Sequence, residues 1–174
     1  MMNRAWRLPV AVLALGLALP ALASAGEHRL GFGYHYWQTI DDLDDLPDLD
    51  DEGYATVLSY QYLPGGMLRF EIDVEYFPDG YAGSTDKAYS PQAYVLLGRF
   101  FYAGVGVGIT RSDGFVDDEW SDPWYAARAG IDMLLVPKLH LDINANYRAD
   151  AFSELEEADT DALTFGASLR LTIF

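Results

Sequence analysis

The residues that could do chemistry in this sequence are spaced two apart. Arg69, Glu71, Asp73 and Glu75 alternate with Leu68, Phe70, Ile72, Val74 and Tyr76, and His140, Asp142, Asn144, Asn146 and Arg148 alternate with Leu139, Leu141, Ile143, Ala145 and Tyr147. In an extended chain successive side chains point to opposite faces, so each segment has one greasy face and one ionic face. Arg128, Asp132 and Arg170 carry the ionic set into two further segments. Gathered in one interior, these groups are expected to pair as a charge network that fills it. The alternative is a narrow ion path whose wall charges tune selectivity.

Other constellations point less sharply. General acid–base work would fall to His35 or His140. His140 lies beside Asp142 but has no serine within two residues, and His35 has no such partner near it in sequence, so both read as satisfied interior histidines. Gly104, Gly106 and Gly108 repeat at period two inside one segment, whereas a phosphate-cradling loop sits at a strand-to-helix turn. They read as room for larger side chains on opposing strands, such as Trp37 or Tyr94. The acidic run from Asp41 to Glu52 contains Asp48-Leu49-Asp50-Asp51-Glu52-Gly53, similar to the first half of a calcium loop, but position twelve is Ser59 where an EF-hand needs Glu. Weak Ca²⁺ or Mg²⁺ binding at Asp44, Asp45, Asp48, Asp50, Asp51 and Glu52 competes with a plain solvated, self-repelling loop. No catalytic set and no organic cofactor motif emerges, and the expectation is a protein that is not an enzyme.

The elements that must position these residues are short and regular. Eight segments of about ten residues alternate at period two: Arg29 to Thr39, Tyr54 to Leu63, Met67 to Phe77, Ala88 to Gly98, Phe101 to Arg111, Trp124 to Leu135, Leu139 to Arg148 and Leu163 to Phe174. Pro64-Gly65-Gly66, Gly98-Arg99-Phe100 and Val136-Pro137-Lys138 read as tight turns, with longer loops between them. The four long connections hold 21 of the 27 acidic residues and the three turns hold none. Glu27 precedes the first segment, and the other five acids lie opposite the apolar face. Tyr34, Tyr36, Trp37, Tyr76, Trp124, Tyr125 and Tyr147 would gather at one level, and Tyr60, Tyr62, Phe100, Phe101 and Tyr102 at another, like the aromatic girdles of a membrane barrel.

The first 25 residues read as an export signal: Arg4 and Arg7, an apolar stretch from Leu8 to Leu19, then Ala23-Ser24-Ala25. Cleavage after Ala25 would leave residues 26–174 as one barrel domain. The net charge of −16 would become −18 without Arg4 and Arg7. Such acidity excludes nucleic acid as a partner, because phosphate would be repelled. The absence of cysteine excludes disulfides, thiolate metal sites and a lipid-modified cysteine.

Over essentially all of residues 26–174 the sequence resembles the small outer-membrane barrels of the OmpA/OmpX-like group. The resemblance is carried by Phe101-Tyr102-Ala103-Gly104-Val105-Gly106-Val107-Gly108, Ala129-Gly130-Ile131-Asp132, Leu139 to Tyr147 and Phe165 to Phe174. It implies an all-β, eight-stranded, antiparallel up-and-down transmembrane β-barrel. It also implies location in the outer membrane of a Gram-negative bacterium, contact with outer-membrane lipids and lipopolysaccharide, assembly by the barrel-assembly machinery, and a monomer. In that group the terminal phenylalanine shares a face with alternate apolar residues. Here the apolar set is Leu163, Phe165, Ala167, Leu169, Leu171 and Ile173, so either a bulge precedes Phe174 or the assembly signal departs from the pattern. Outer-membrane lipid A deacylases carry a His-x-Ser-Asn pattern that is absent here. The expected role is structural or interactive, with a narrow channel and a lipid A-modifying enzyme as alternatives. A soluble sandwich or lipocalin-like barrel would share the alternation.

Overall fold

The computed structural model describes residues 26–39, 52–78, 87–112, 120–149 and 162–174. The export segment and Asp44, Asp45, Asp48, Asp50 and Asp51 lie outside the described residues. The strands are β1 (Glu27–Thr39), β2 (Glu52–Gly65), β3 (Leu68–Phe77), β4 (Ala88–Gly98), β5 (Phe101–Gly108), β6 (Arg111–Ser112), β7 (Trp124–Val136), β8 (Leu139–Ala149) and β9 (Ala162–Thr172). Each strand but β6 pairs antiparallel with a chain neighbour, β6 pairs with β4, β7 follows β5 around the ring, and β1 pairs with β9, so the sheet closes on itself. Closure removes every free edge, the condition for strands to span an apolar medium.

The fifth segment is expected as one strand to Arg111, but it is interrupted at Ile109 and Thr110, and β6 resumes in the same register against β4. Pro91 is the cause. Its carbonyl accepts from Ile109 N at 3.2 Å, so its backbone nitrogen also faces β5, and proline has no N–H to return the bond. The ring therefore counts eight strands, with β6 a continuation of β5.

The turn-side end is built from two-residue hairpin connections, Gly66-Met67, Arg99-Phe100 and Pro137-Lys138. Pro137 sets the negative φ of the second turn position while Lys138 takes the third at φ 71°, as a type II turn requires. The last strand ends at Thr172, short of Phe174. Ile173 N donates to His28 O, while His28 N donates to Phe174 O, so two residues oppose one. That is a β-bulge, and it brings Phe174 edge-on to His28, 6.1 Å between ring centroids.

The packing is inverted relative to a protein built for water. Arg69, Arg170, Gln61, Glu71 and Glu75 are among the most completely buried large side chains, while Phe32, Leu58, Leu97 and Val105 are more than half exposed. Inward positions in β3 are Arg69, Glu71, Asp73, Glu75 and Phe77, and the outward ones alternate with them.

Candidate functional site

Five buried arginines, Arg29, Arg69, Arg128, Arg148 and Arg170, meet five buried carboxylates, Glu71, Asp73, Glu75, Asp132 and Asp142. At mid-height Arg128 Nη1 donates to Glu71 at 2.8 Å and to Asp73 at 2.7 Å, and its guanidinium lies 3.7 Å over the Tyr94 ring. Arg170 donates to Glu71 at 2.7 Å and sits 3.2 Å from Asp142. Tyr102, Asn144, Asn146 and Gln61 complete the layer: Tyr102 and Asn144 donate to Asp142, Asn146 donates to Asn144 and Gln61 donates to Glu71. Arginine suits this place because its planar fork reaches two acceptors and stacks on rings.

Toward the long loops, Glu75 is held by His35 Nδ1 and by Arg148, whose guanidinium lies 4.6 Å over Trp124. Above them Trp37, Ala55, Phe77 and Ala88 form a buried apolar cluster. Trp37 and Phe77 meet edge-on at 6.4 Å. The lumen is thus capped at the loop side by aromatic rings.

Five of these inward rings share one device. Tyr94 lies against Gly106, Trp124 against Gly108, Tyr102 against Gly130, His35 against Gly166 and Trp37 against Gly53, and in every pair the glycine is the directly registered partner on the neighbouring strand. A Cβ on any of these glycines would intrude on the ring. The room left by Gly106 and Gly108 is therefore filled by adjacent strands, not opposing ones, and Trp37 uses Gly53. Registered neighbours lie only about 5 Å apart, so a ring lies flat over its neighbour more readily than it crosses the lumen.

At the turn side the lumen opens into a funnel of about 400 Å³. Asp132 is its hub, accepting from Arg29, from Arg69 at 2.7 Å and from His140 Nδ1 at 2.7 Å. Arg69 also donates to the carbonyls of Gly98 and Arg99. Glu27 accepts from Arg29 Nε and Thr172 Oγ1, both at 2.7 Å.

The structure brings Arg69, Glu71, Asp73, Glu75, Arg128, Asp132, Asp142, Arg148 and Arg170 into one interior. His140 belongs to the funnel and pairs with Asp132, not with adjacent Asp142, which is held by Tyr102, Asn144 and Arg170. His35 finds its carboxylate forty residues away in Glu75. Tyr34, Tyr36, Tyr60, Tyr62, Tyr76, Tyr125 and Tyr147 lie on the outward alternation, with Tyr36 against Tyr54 and Tyr76 against Tyr89. Trp124 does not. It shares its alternation with Ala126, Arg128 and Asp132 and is buried over Gly108, as Trp37 and Tyr102 are buried inward. Glu52 heads β2, and only its backbone is described. The sequence reading missed Arg29, Glu27 and Arg99. Arg29 was detectable, since it shares the inward alternation of His35, whereas Arg99 sits in a turn where alternation carries no information.

No protein-family model and no curated protein sequence matches the chain. Among solved structures it is similar to Neisserial surface protein A (NspA), with a TM-score of 0.57 at 15% identity over 86% of this chain and 98% of that one. It is also similar to Ail of Yersinia pestis (TM-score 0.48, 19% identity, 84% and 99% coverage) and to OprG of Pseudomonas aeruginosa (0.47, 13%, 85% and 94%). The chain has the closed antiparallel fold of the small eight-stranded outer-membrane β-barrels.

Proposed function

We propose that this chain is an integral outer-membrane barrel of a Gram-negative bacterium, exported with residues 1–25 as a cleaved signal, whose lumen is closed and whose role is structural or interactive. The observation that carries the reading is the inversion of polarity: a continuous outward set including Leu30, Phe32, Leu58, Val105, Phe165 and Leu169 is exposed while five arginines and five carboxylates are buried. An apolar belt of that extent is untenable in water and natural in lipid. The buried ion network and the aromatic cap above it favour a plugged lumen over a conducting one. Activity then falls to the parts outside the bilayer, with lipopolysaccharide, its bound divalent cations and an extracellular protein as candidate partners for the acidic loops.

Membrane fractionation with heat-modifiable gel migration tests the location. The expected result is a protein in the outer-membrane fraction that migrates faster unheated; recovery in the soluble periplasm would overturn the reading. Planar-bilayer recording tests the closed lumen. Reproducible conductance steps that shift on substitution of Asp73 or Arg128 would replace a plug with a channel. A change in lipid A acyl chains between cells with and without the protein would favour an enzyme instead.

A further inference from the structure

We propose that the turn-side funnel binds a single anionic headgroup, phosphate or carboxylate, carried on an apolar chain. The funnel is blind, because the Arg29–Asp132–Arg69 cluster closes its floor. Its volume of about 400 Å³ lies within the roughly 300–1,000 Å³ usual for small-molecule sites. Its walls combine polar groups with an apolar collar of Leu63, Phe100 and Leu134, of which Phe100 and Leu134 are more than half exposed.

The sign of the ligand follows from the balance of charge in the funnel and from which guanidinium is unspent. Arg29, Arg69 and Arg99 face two carboxylates, Glu27 and Asp132. Asp132 takes three donors over both of its oxygens, and Glu27 takes two, both on Oε1. Arg99 donates only from Nε, to Gly66 O at 2.7 Å, and no acceptor among the described residues takes its terminal nitrogens. His140 gives Nδ1–H to Asp132 and its Nε2 lies 3.9 Å from Glu27 Oε1. Two open acceptors remain, Glu27 Oε2 and the Nε2 of a neutral His140, but three guanidinium cations face only two carboxylates and the unspent charged donors are those of Arg99, so an anion is what the funnel can receive. The strong overall negative charge does not forbid this, since the acidic loops lie across an apolar band about 25 Å tall and screening acts over about 10 Å.

The ligand could come from a membrane lipid or from free anions in the aqueous compartment, and titration of the folded protein in dodecyl maltoside micelles separates the two. Dodecyl phosphate, inorganic phosphate and dodecyltrimethylammonium are the probes, read by chemical shifts of the Arg99 Nε–H and the His140 ring. Dodecyl phosphate is expected to give saturable shifts, at least tenfold weaker in Arg99→Gln and within twofold of wild type in Lys138→Gln, which lies outside the funnel. Phe100→Ser is expected to weaken dodecyl phosphate and leave inorganic phosphate unchanged. Equal affinity for both phosphates would overturn the apolar half of the proposal. Equal shifts with the cationic probe, or indifference to Arg99→Gln in a variant that keeps heat-modifiable migration, would overturn it entirely.

Discussion

The two ends of the lumen are made by the same alternation yet finish differently. At the loop side the inward positions are Trp37, Phe77, Ala55 and Ala88, and they close on one another. At the turn side the inward positions are Arg29, Arg69 and Asp132, joined by His140, and they leave a funnel. Aromatic rings bring a large volume per side chain, so they can seal an end. At the turn side Arg29, Arg69 and His140 are all drawn onto one carboxylate, Asp132, and the space above it stays open. Between the two lies the arginine–carboxylate layer, where neither ring nor solvent dominates.

The sharpest way to break this arrangement is to remove one charge from that middle layer. Arg128→Met leaves Glu71 and Asp73 short of a shared partner in a buried site. It is expected to cost about 3–5 kcal/mol, read from urea unfolding in micelles followed by gel migration. Next comes the loop-side cap: Trp37→Ala is expected to cost about 3 kcal/mol without producing conductance, because the ion layer below stays whole. Conductance steps in that variant would mean the rings, not the ions, form the seal.

A smaller loss tests the ring-on-glycine pairs. Gly166→Ala places a methyl against the His35 ring and should destabilise by about 1–3 kcal/mol, whereas Gly65→Ala, where nothing lies within 4 Å but φ is 120°, would suffer from backbone strain alone. Smallest is the turn at Lys138, where φ is 71°. Lys138→Gly relieves a left-handed side chain and should raise the midpoint by an amount equivalent to at most about 1 kcal/mol.

Much of the fold was legible because a period of two is hard to disguise. The β3 alternation of Arg69, Glu71, Asp73 and Glu75 with apolar residues marks one face for burial whatever the tertiary arrangement. Strand limits were less legible. The interruption at Ile109 depends on which neighbour Pro91 faces, and the bulge at Phe174 depends on His28 from the other end of the chain. Aromatic placement failed at Trp124 for a related reason: a tryptophan fits a girdle and a lumen equally well until the partner strand shows whether a glycine lies beneath it. The mid-lumen charges could be named from alternation, but the funnel could not, since Arg29, Arg99 and His140 come from a strand start, a turn and a strand start that are distant in sequence.

The sequence by itself determined which residues share a face, where the chain turns and that the acids cluster between strands, because these depend only on local backbone geometry and composition. Only the tertiary structure decided which arginine meets which carboxylate, which rings lie over which glycines, and which end of the lumen closes. Those outcomes depend on register between strands that meet only when the barrel shuts, and a shift of one residue would turn every one of these side chains to the other face.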